Sequence, residues 1–258
     1  MAKEKTLKFS DNLVFSWVMT HHPNLCKEVI STILGIEIAD LSYVNDEESV
    51  SASFDSKGIR VDVVAKEDGK IYDIEMQTVK KGNLRKRARY YQSVLDIATL
   101  KGGDDYESLP ESYVIFICVD DFLGEEKALL DFSAQALTAA DSSGEVVKLN
   151  DGRHIVFLAA SLADQLTSEK EELACFLKYV SDGNVDGILT SKLADAVYDA
   201  SKSREALMWI TREHEIKEYK EALKERDAEL REKDVKLAEK DAQIAELKKQ
   251  LESQAKNS

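Results

Sequence analysis

GIRVDVVAKEDGKIYDIEMQ, residues 58–77, holds two β-like runs on either side of Asp68-Gly69, a dipeptide favoured in two-residue hairpin turns. With that pair as the turn, Glu67 lies opposite Lys70, Val64 opposite Asp73, Asp62 opposite Glu75 and Arg60 opposite Gln77. Side chains alternate faces with period two. One face therefore carries Val61, Val63, Ala65, Tyr72, Ile74 and Met76, and it packs on a core. The other carries Arg60, Asp62, Val64, Asp73, Glu75 and Gln77. Directly opposed residues on that face have Cβ atoms about 5 Å apart, where like charges are destabilising. A divalent cation between Asp62 and Glu75 would remove the repulsion and use carboxylate oxygens as hard ligands. A solvated outer face with its carboxylates pointing apart accounts for the same pattern.

An Asp on one strand, Glu-x-Gln on the next and a basic helix after them resemble the PD-(D/E)XK nuclease pattern. More narrowly, the chain resembles the PD-(D/E)XK nuclease-family transposases, which include the recombination-promoting nucleases (Rpn). The resemblance is carried by GIRVDV (58–63), IEMQ (74–77), RKRARYYQ (85–92) and DNLVFSWVM (11–19), within about the first half of the chain. It implies an α/β, restriction-endonuclease-like mixed sheet flanked by helices. It also implies a DNA endonuclease that hydrolyses phosphodiester bonds with Mg2+, or with Mn2+ as a substitute. Asp62 and Glu75 would bind the metal, the Met76 carbonyl would be a third ligand, and Gln77 would orient the attacking water. Gln77 stands where most of the superfamily has Lys, and it brings no positive charge. Asp11 matches an acid of the family's N-terminal segment and is a candidate accessory acid; it also suits a helix cap. The role would lie in recombination, transposition or defence. A catalytically degenerate nuclease fold that binds DNA, or assembles without cutting, is the alternative that Gln77 leaves open.

Charge bears on both readings. The 258 residues carry a net charge of −14, unusual for a nucleic-acid binder because phosphate contacts favour basic surfaces. Against that background Lys80, Lys81, Arg85, Lys86, Arg87 and Arg89 form a basic run with no acid until Asp96. Beside a carboxylate site such a run would neutralise backbone phosphates. Arg60, Lys80, Lys81, Arg85, Lys86 and Arg89 form the candidate DNA-binding set. A helix face paired with acids elsewhere is the other account. Tyr90 and Tyr91 divide, one toward the core and one toward the strands.

Apolar residues make up 43% of the chain, enough for a real core. Cys26, Cys118 and Cys175 are far apart and lack Cys-x-x-Cys spacing, so they read as buried thiols of a reducing cytosol. His21-His22 before Pro23 marks a helix break. No N-terminal signal pattern and no long apolar run is present, which predicts a soluble, cytoplasmic protein without a membrane span.

In chain order, Ser10–Thr20 reads as a helix capped by Ser10 or Asp11, and Pro23 opens a second helix that Gly35 ends. Leu41–Val44 and Val50–Phe54 are strand candidates. After the central hairpin, Gly82-Asn83 opens a helix that Gly102-Gly103 closes. The apolar run Ser112–Val119 predicts a central strand, ended by a turn at Asp120-Asp121. Val146–Leu149 and His154–Leu158, around Asp151-Gly152, predict a second hairpin. Ser168 with Glu171 resembles a capping box before a helix striped with Leu173, Phe176, Leu177 and Val180. Further helices follow. From Ile216, apolar residues recur every seven positions through Leu223, Leu230, Leu237, Ile244 and Leu251. The partner positions Tyr219, Arg226, Lys233, Lys240 and Leu247 are mostly basic, which makes a weak parallel coiled coil or a single charged helix. The expected organisation is a nuclease-like core over residues 1–165, a helical extension over 166–211 and a coiled-coil tail over 212–258 that forms a homodimer.

Overall fold

The computed structural model of the chain describes residues 7–46, 49–50, 59–67, 69–80, 82–134 and 148–255. Helices α1 (Asn12–His21) and α2 (Pro23–Leu34) come first, then strands β1 (Tyr43–Asp46), β2 (Ser49–Val50) and β3 (Ile59–Arg60). The hairpin strands are β4 (Val63–Glu67) and β5 (Lys70–Gln77), followed by α3 (Leu84–Thr99) and β6 (Glu111–Cys118). Strands β7 (Leu129–Phe132) and β8 (Arg153–Ala159) complete the sheet, and α4 (Glu171–Asp182), α5 (Ile188–Lys202) and α6 (Arg204–Ala255) follow. The main sheet has the order β1-β4-β5-β6-β8-β7, with a separate β2–β3 ribbon. Parallel β5, β6 and β8 form its centre; antiparallel β4 and β1 extend one side and antiparallel β7 the other. This is an α/β fold with a mixed sheet, as the sequence predicts.

The central hairpin keeps its expected register, Glu67 opposite Lys70 and Val64 opposite Asp73. Gly69 takes φ +68°, the left-handed conformation a two-residue turn requires; Asp68 lies outside the described residues. Strand β6 is buried along nearly its whole length between its two parallel neighbours, which explains its unbroken apolar sequence.

Helix α3 covers one face of the sheet, packing on Val64, Ile71, Val114, Phe116 and Phe157 through Leu84, Ala88, Tyr91, Val94 and Leu95. Tyr91 is buried, and Tyr90 packs half-buried at the edge of the same cluster. By strand alternation Val63, Ala65, Tyr72 and Ile74 point to the opposite face, where α1 packs on β4 and β5. Helices α2 and α5 pack in turn on α1, and α4 on α2 and α5.

Several local expectations change. Strand β8 pairs antiparallel with β7; Leu149, of the hairpin partner expected for it, donates its N–H to the Ala134 carbonyl. Val146 and Val147 lie outside the described residues, as does the 51–54 part of the strand expected over Val50–Phe54. Ser168 opens a 3-10 turn rather than capping α4, which starts at Glu171 without a side-chain cap. Val61 joins the α3-side cluster instead of the face of Val63 and Ala65, because the chain bends at Asp62.

Cys26 and Cys118 are buried free thiols, each pushed up to about 12 by burial, whereas Cys175 is half-buried. No described helix is long and apolar enough to cross a membrane.

The chain divides into two units, Met1–Leu207 and Met208–Ser258. The second holds most of α6. On it Leu223, Leu230, Leu237 and Ile244 of the seven-residue stripe are between 49% and 60% exposed.

Candidate active site at the open end of the hairpin

The β4–β5 ladder ends at the Val63–Ile74 pair. One step further the chain bends at Asp62, and side chains take over the bonding. The Asp62 N–H donates to Glu75 Oε1 at 2.9 Å, and the Met76 N–H donates to Asp62 Oδ2 at 2.9 Å. Each carboxylate thus occupies a place where a ladder carbonyl would have been. From the opposite layer, buried Ser16 of α1 donates its hydroxyl to the Asp62 carbonyl at 3.0 Å. The cross-strand meeting of Asp62 and Glu75 is therefore real, but it is made through backbone amides.

The polar face is not solvated. Asp73, Glu75 and Gln77 are 0%, 2% and 5% exposed, which removes the outer-face account of their alternation. Helix α3 seals them. Arg87 Nη2 pairs with Glu75 Oε2, and Arg87 Nη1 donates to Gln77 Oε1 at 2.6 Å. The Gln77 Nε2 donates to the Val79 carbonyl at 2.5 Å, so both ends of its amide are engaged. The guanidinium carbon of Arg87 lies 5.0 Å from the ring centroids of Tyr91 and Phe116.

Three carboxylates and one guanidinium make the electrostatics uneven. Burial pushes Glu75 well above the usual carboxylate range; the charges of Asp62 and Asp73 add to this, while Arg87 and the Asp62 N–H oppose it. Burial likewise pushes Asp73 well up, with Asp62 adding and Arg87 opposing. Burial alone would lower the Arg87 guanidinium, but Glu75 and Tyr91 more than offset it and its pKa rises. Neither oxygen of Asp73 has a hydrogen-bond partner among the described residues. A fully buried polar group without a partner is costly, and such groups mark functional or ion-linked positions.

Among the described residues no group of three or more His, Cys, Asp or Glu side chains is arranged to hold a metal ion. The bonding explains this, since both Glu75 oxygens are engaged, one by a backbone N–H and one by Arg87. The donor set is nonetheless all hard oxygen, and the unpartnered Asp73 carboxyl adds to it. In chemistry it fits a hard divalent cation.

The remaining candidates separate. Arg60 pairs through its backbone with Ser49 in the β2–β3 ribbon, so it is not the cross-strand neighbour of Gln77. The bend at Asp62 takes the chain out of the β4–β5 ladder before that rung. Lys80, Lys86 and Arg89 are exposed. Arg85 is exposed but pairs with Glu125, and Lys81 lies outside the described residues. Asp11 caps α1, accepting the Leu13 N–H at 3.0 Å.

Two residues of the site are not among the site residues named from the sequence. Asp73 was visible on the polar face, but nothing in the alternation showed that α3 would bury it. Arg87 was hidden inside a basic run. Its signal was helical spacing: three residues after Leu84 and four before Tyr91, it falls on the core-facing stripe, whereas Arg85, Lys86 and Arg89 do not.

The sequence matches the family model described as PD-(D/E)XK nuclease family transposase over residues 14–258. Comparison with curated proteins and with solved structures gives no match.

Proposed function

The chain belongs to the PD-(D/E)XK nuclease family transposases, and from that premise we propose that it is a Mg2+-dependent DNA endonuclease hydrolysing phosphodiester bonds in recombination, transposition or defence. Membership supports a nuclease-type enzyme with DNA as its substrate, and PD-(D/E)XK nucleases typically use divalent metals. The observation that carries the finer reading is the meeting of Asp62 and Glu75 where the hairpin ladder opens, beside the buried and unpartnered Asp73.

Asp62 and Glu75 would hold the cation. The Met76 carbonyl is the candidate third ligand, because the N–H and C=O of one strand residue point to the same side, and the Met76 N–H points at Asp62. When bound, a divalent cation supplies Lewis-acid stabilisation of phosphate charge and lowers the pKa of water. Gln77 Oε1 accepts from Arg87 and retains a lone pair that can orient a water. Lys80, Lys86 and Arg89 on the exposed side of this region would neutralise flanking phosphates, joined by Arg60, Lys81 and Arg85 of the candidate set. The exposed stripe on α6 would pair with a second copy.

One observation favours a second reading. Arg87 already neutralises Glu75, so the site is also consistent with a non-cutting fold that binds DNA. Pure protein incubated with supercoiled plasmid decides between them. Nicking with Mg2+ or Mn2+ that EDTA abolishes is expected. A protein inert with both metals on supercoiled, linear and single-stranded DNA leaves only the binding role.

A further inference from the structure

We propose that Arg87 supplies the positive charge that position 77 lacks, acting on the scissile phosphate from α3 while Gln77 fixes its guanidinium. The inference rests on the nuclease reading and assigns a further residue to it.

The argument begins with where the cation sits. Among the described residues of the basic run from Lys80 to Arg89, Arg87 bonds to both Glu75 and Gln77, the two residues of the Glu-x-Gln motif. Its side chain is 26% exposed while Glu75 is 2% exposed, so Arg87 stands between solvent and the buried carboxylate that it pairs with. The rings of Tyr91 and Phe116, each 5.0 Å from the guanidinium carbon, leave its plane little freedom. Five N–H donors are available on an arginine. The bonds to Gln77 and Glu75 each use one N–H of a terminal nitrogen, which leaves further donors for a phosphate oxygen.

Position 77 then has a reason to be Gln. A lysine there would set an ammonium against the Arg87 guanidinium within hydrogen-bonding distance. The amide oxygen of Gln accepts from Arg87 instead, at 2.6 Å. Gln77 and Arg87 read as a matched pair, in which the charge has moved from the strand to the helix. Arg60 of the candidate DNA-binding set is paired into the β2–β3 ribbon through its backbone, off the rung opposite Gln77.

The test moves the charge back. Four full-length proteins are compared for plasmid nicking with Mn2+ and for Mn2+ binding by calorimetry: wild type, Arg87→Met, Arg87→Lys and the double variant Gln77→Lys with Arg87→Met. Arg87→Met should nick about 10²-fold more slowly, the scale of losing one preorganised charge-stabilising donor, and the double variant should recover at least about tenfold of that. Arg87→Lys, which keeps the charge where Met risks the fold, should fall between wild type and Arg87→Met. Mn2+ binding by Arg87→Met should be equal to or tighter than wild type, because Glu75 is released. Wild-type nicking by Arg87→Met, or a double variant no faster than Arg87→Met, overturns the proposal and leaves the nuclease reading standing. Loss of Mn2+ binding together with nicking also overturns it, by making Arg87 a support of the carboxylates only. A wild type that never nicks removes the nuclease reading and the proposal together.

Discussion

Asp62 Oδ2 accepts the backbone N–H of Met76 at 2.9 Å, standing in for a strand carbonyl at the point where the hairpin opens. The same carboxylate therefore has a structural bond and a proposed metal-binding role, and the two can be separated. Asp62→Asn keeps an oxygen for the Met76 N–H and loses the charge. Asp62→Ala loses both and leaves the N–H unpaired, at a cost of about 1–3 kcal/mol. Both variants should lose metal-dependent nicking, but only Asp62→Ala should melt clearly lower. Nicking at the wild-type rate by Asp62→Asn would sink the assignment.

Ser16 ties the site to the opposite layer. Its hydroxyl is buried and donates to the Asp62 carbonyl at 3.0 Å. Ser16→Ala should slow nicking by about tenfold, the scale seen when a residue that orients a metal ligand is removed. Thermal unfolding and nicking measured together check this; a variant unchanged in both would show that α1 does not fix Asp62.

Lys86 and Arg89 are the better probes of DNA binding than Arg85, because Arg85 is paired with Glu125. Lys86→Glu with Arg89→Glu should weaken DNA binding and flatten its salt dependence by about two in slope, roughly one per lost phosphate contact. The melting temperature should hardly move. An unchanged salt titration would place the DNA path elsewhere.

The exposed stripe of α6 predicts self-association. Leu223→Glu with Leu237→Glu places charge at two seam positions of each helix. Light scattering should report a dimer for the wild type and a monomer for the variant, with the melting of the Met1–Leu207 unit unaltered. Equal particle masses would assign α6 to a single charged helix.

Glu67 gives a pH signature remote from the site. It accepts the Ala39 N–H at 2.8 Å and the Tyr72 hydroxyl at 2.9 Å, and it pairs with Lys70. Burial alone would raise its pKa, but these partners together hold it below the usual carboxylate range. A lowered folded-state pKa contributes stability above the unfolded value of about 4.3, and that contribution is lost as pH falls through the folded value. Glu67→Gln should melt below wild type at pH 7, with the gap closing as the pH drops below about 4. A gap of constant size from pH 7 to 3 would mean that the charge contributes nothing.

The legible part of the fold was local. Period-two alternation about Asp68-Gly69 set the register of β4 and β5, and the unbroken apolar run set β6 at the sheet centre. Strand β7 was not foreseen, because Leu129–Phe132 is short and its partner β8 lies more than twenty residues away. Nor could the hairpin pattern show that the ladder would stop at Val63. Counting outward assumes an unbroken ladder, and the bend at Asp62 moved both Val61 and Arg60 out of the expected pairing.

By itself the sequence determined which residue types meet at the hairpin's open end, since pairing about a tight turn depends only on neighbours along the chain. It placed Asp62 beside Glu75, and it placed Gln77 two residues beyond on the same strand face. What it left open was what lies over that face. Solvent, a metal and another helix all satisfy a run of alternating carboxylates equally well, because burial depends on how distant segments pack. The tertiary structure decided the point by laying α3 across β5. That docking buries Asp73 with no hydrogen-bond partner among the described residues and turns Arg87 out of a basic run onto Glu75 and Gln77.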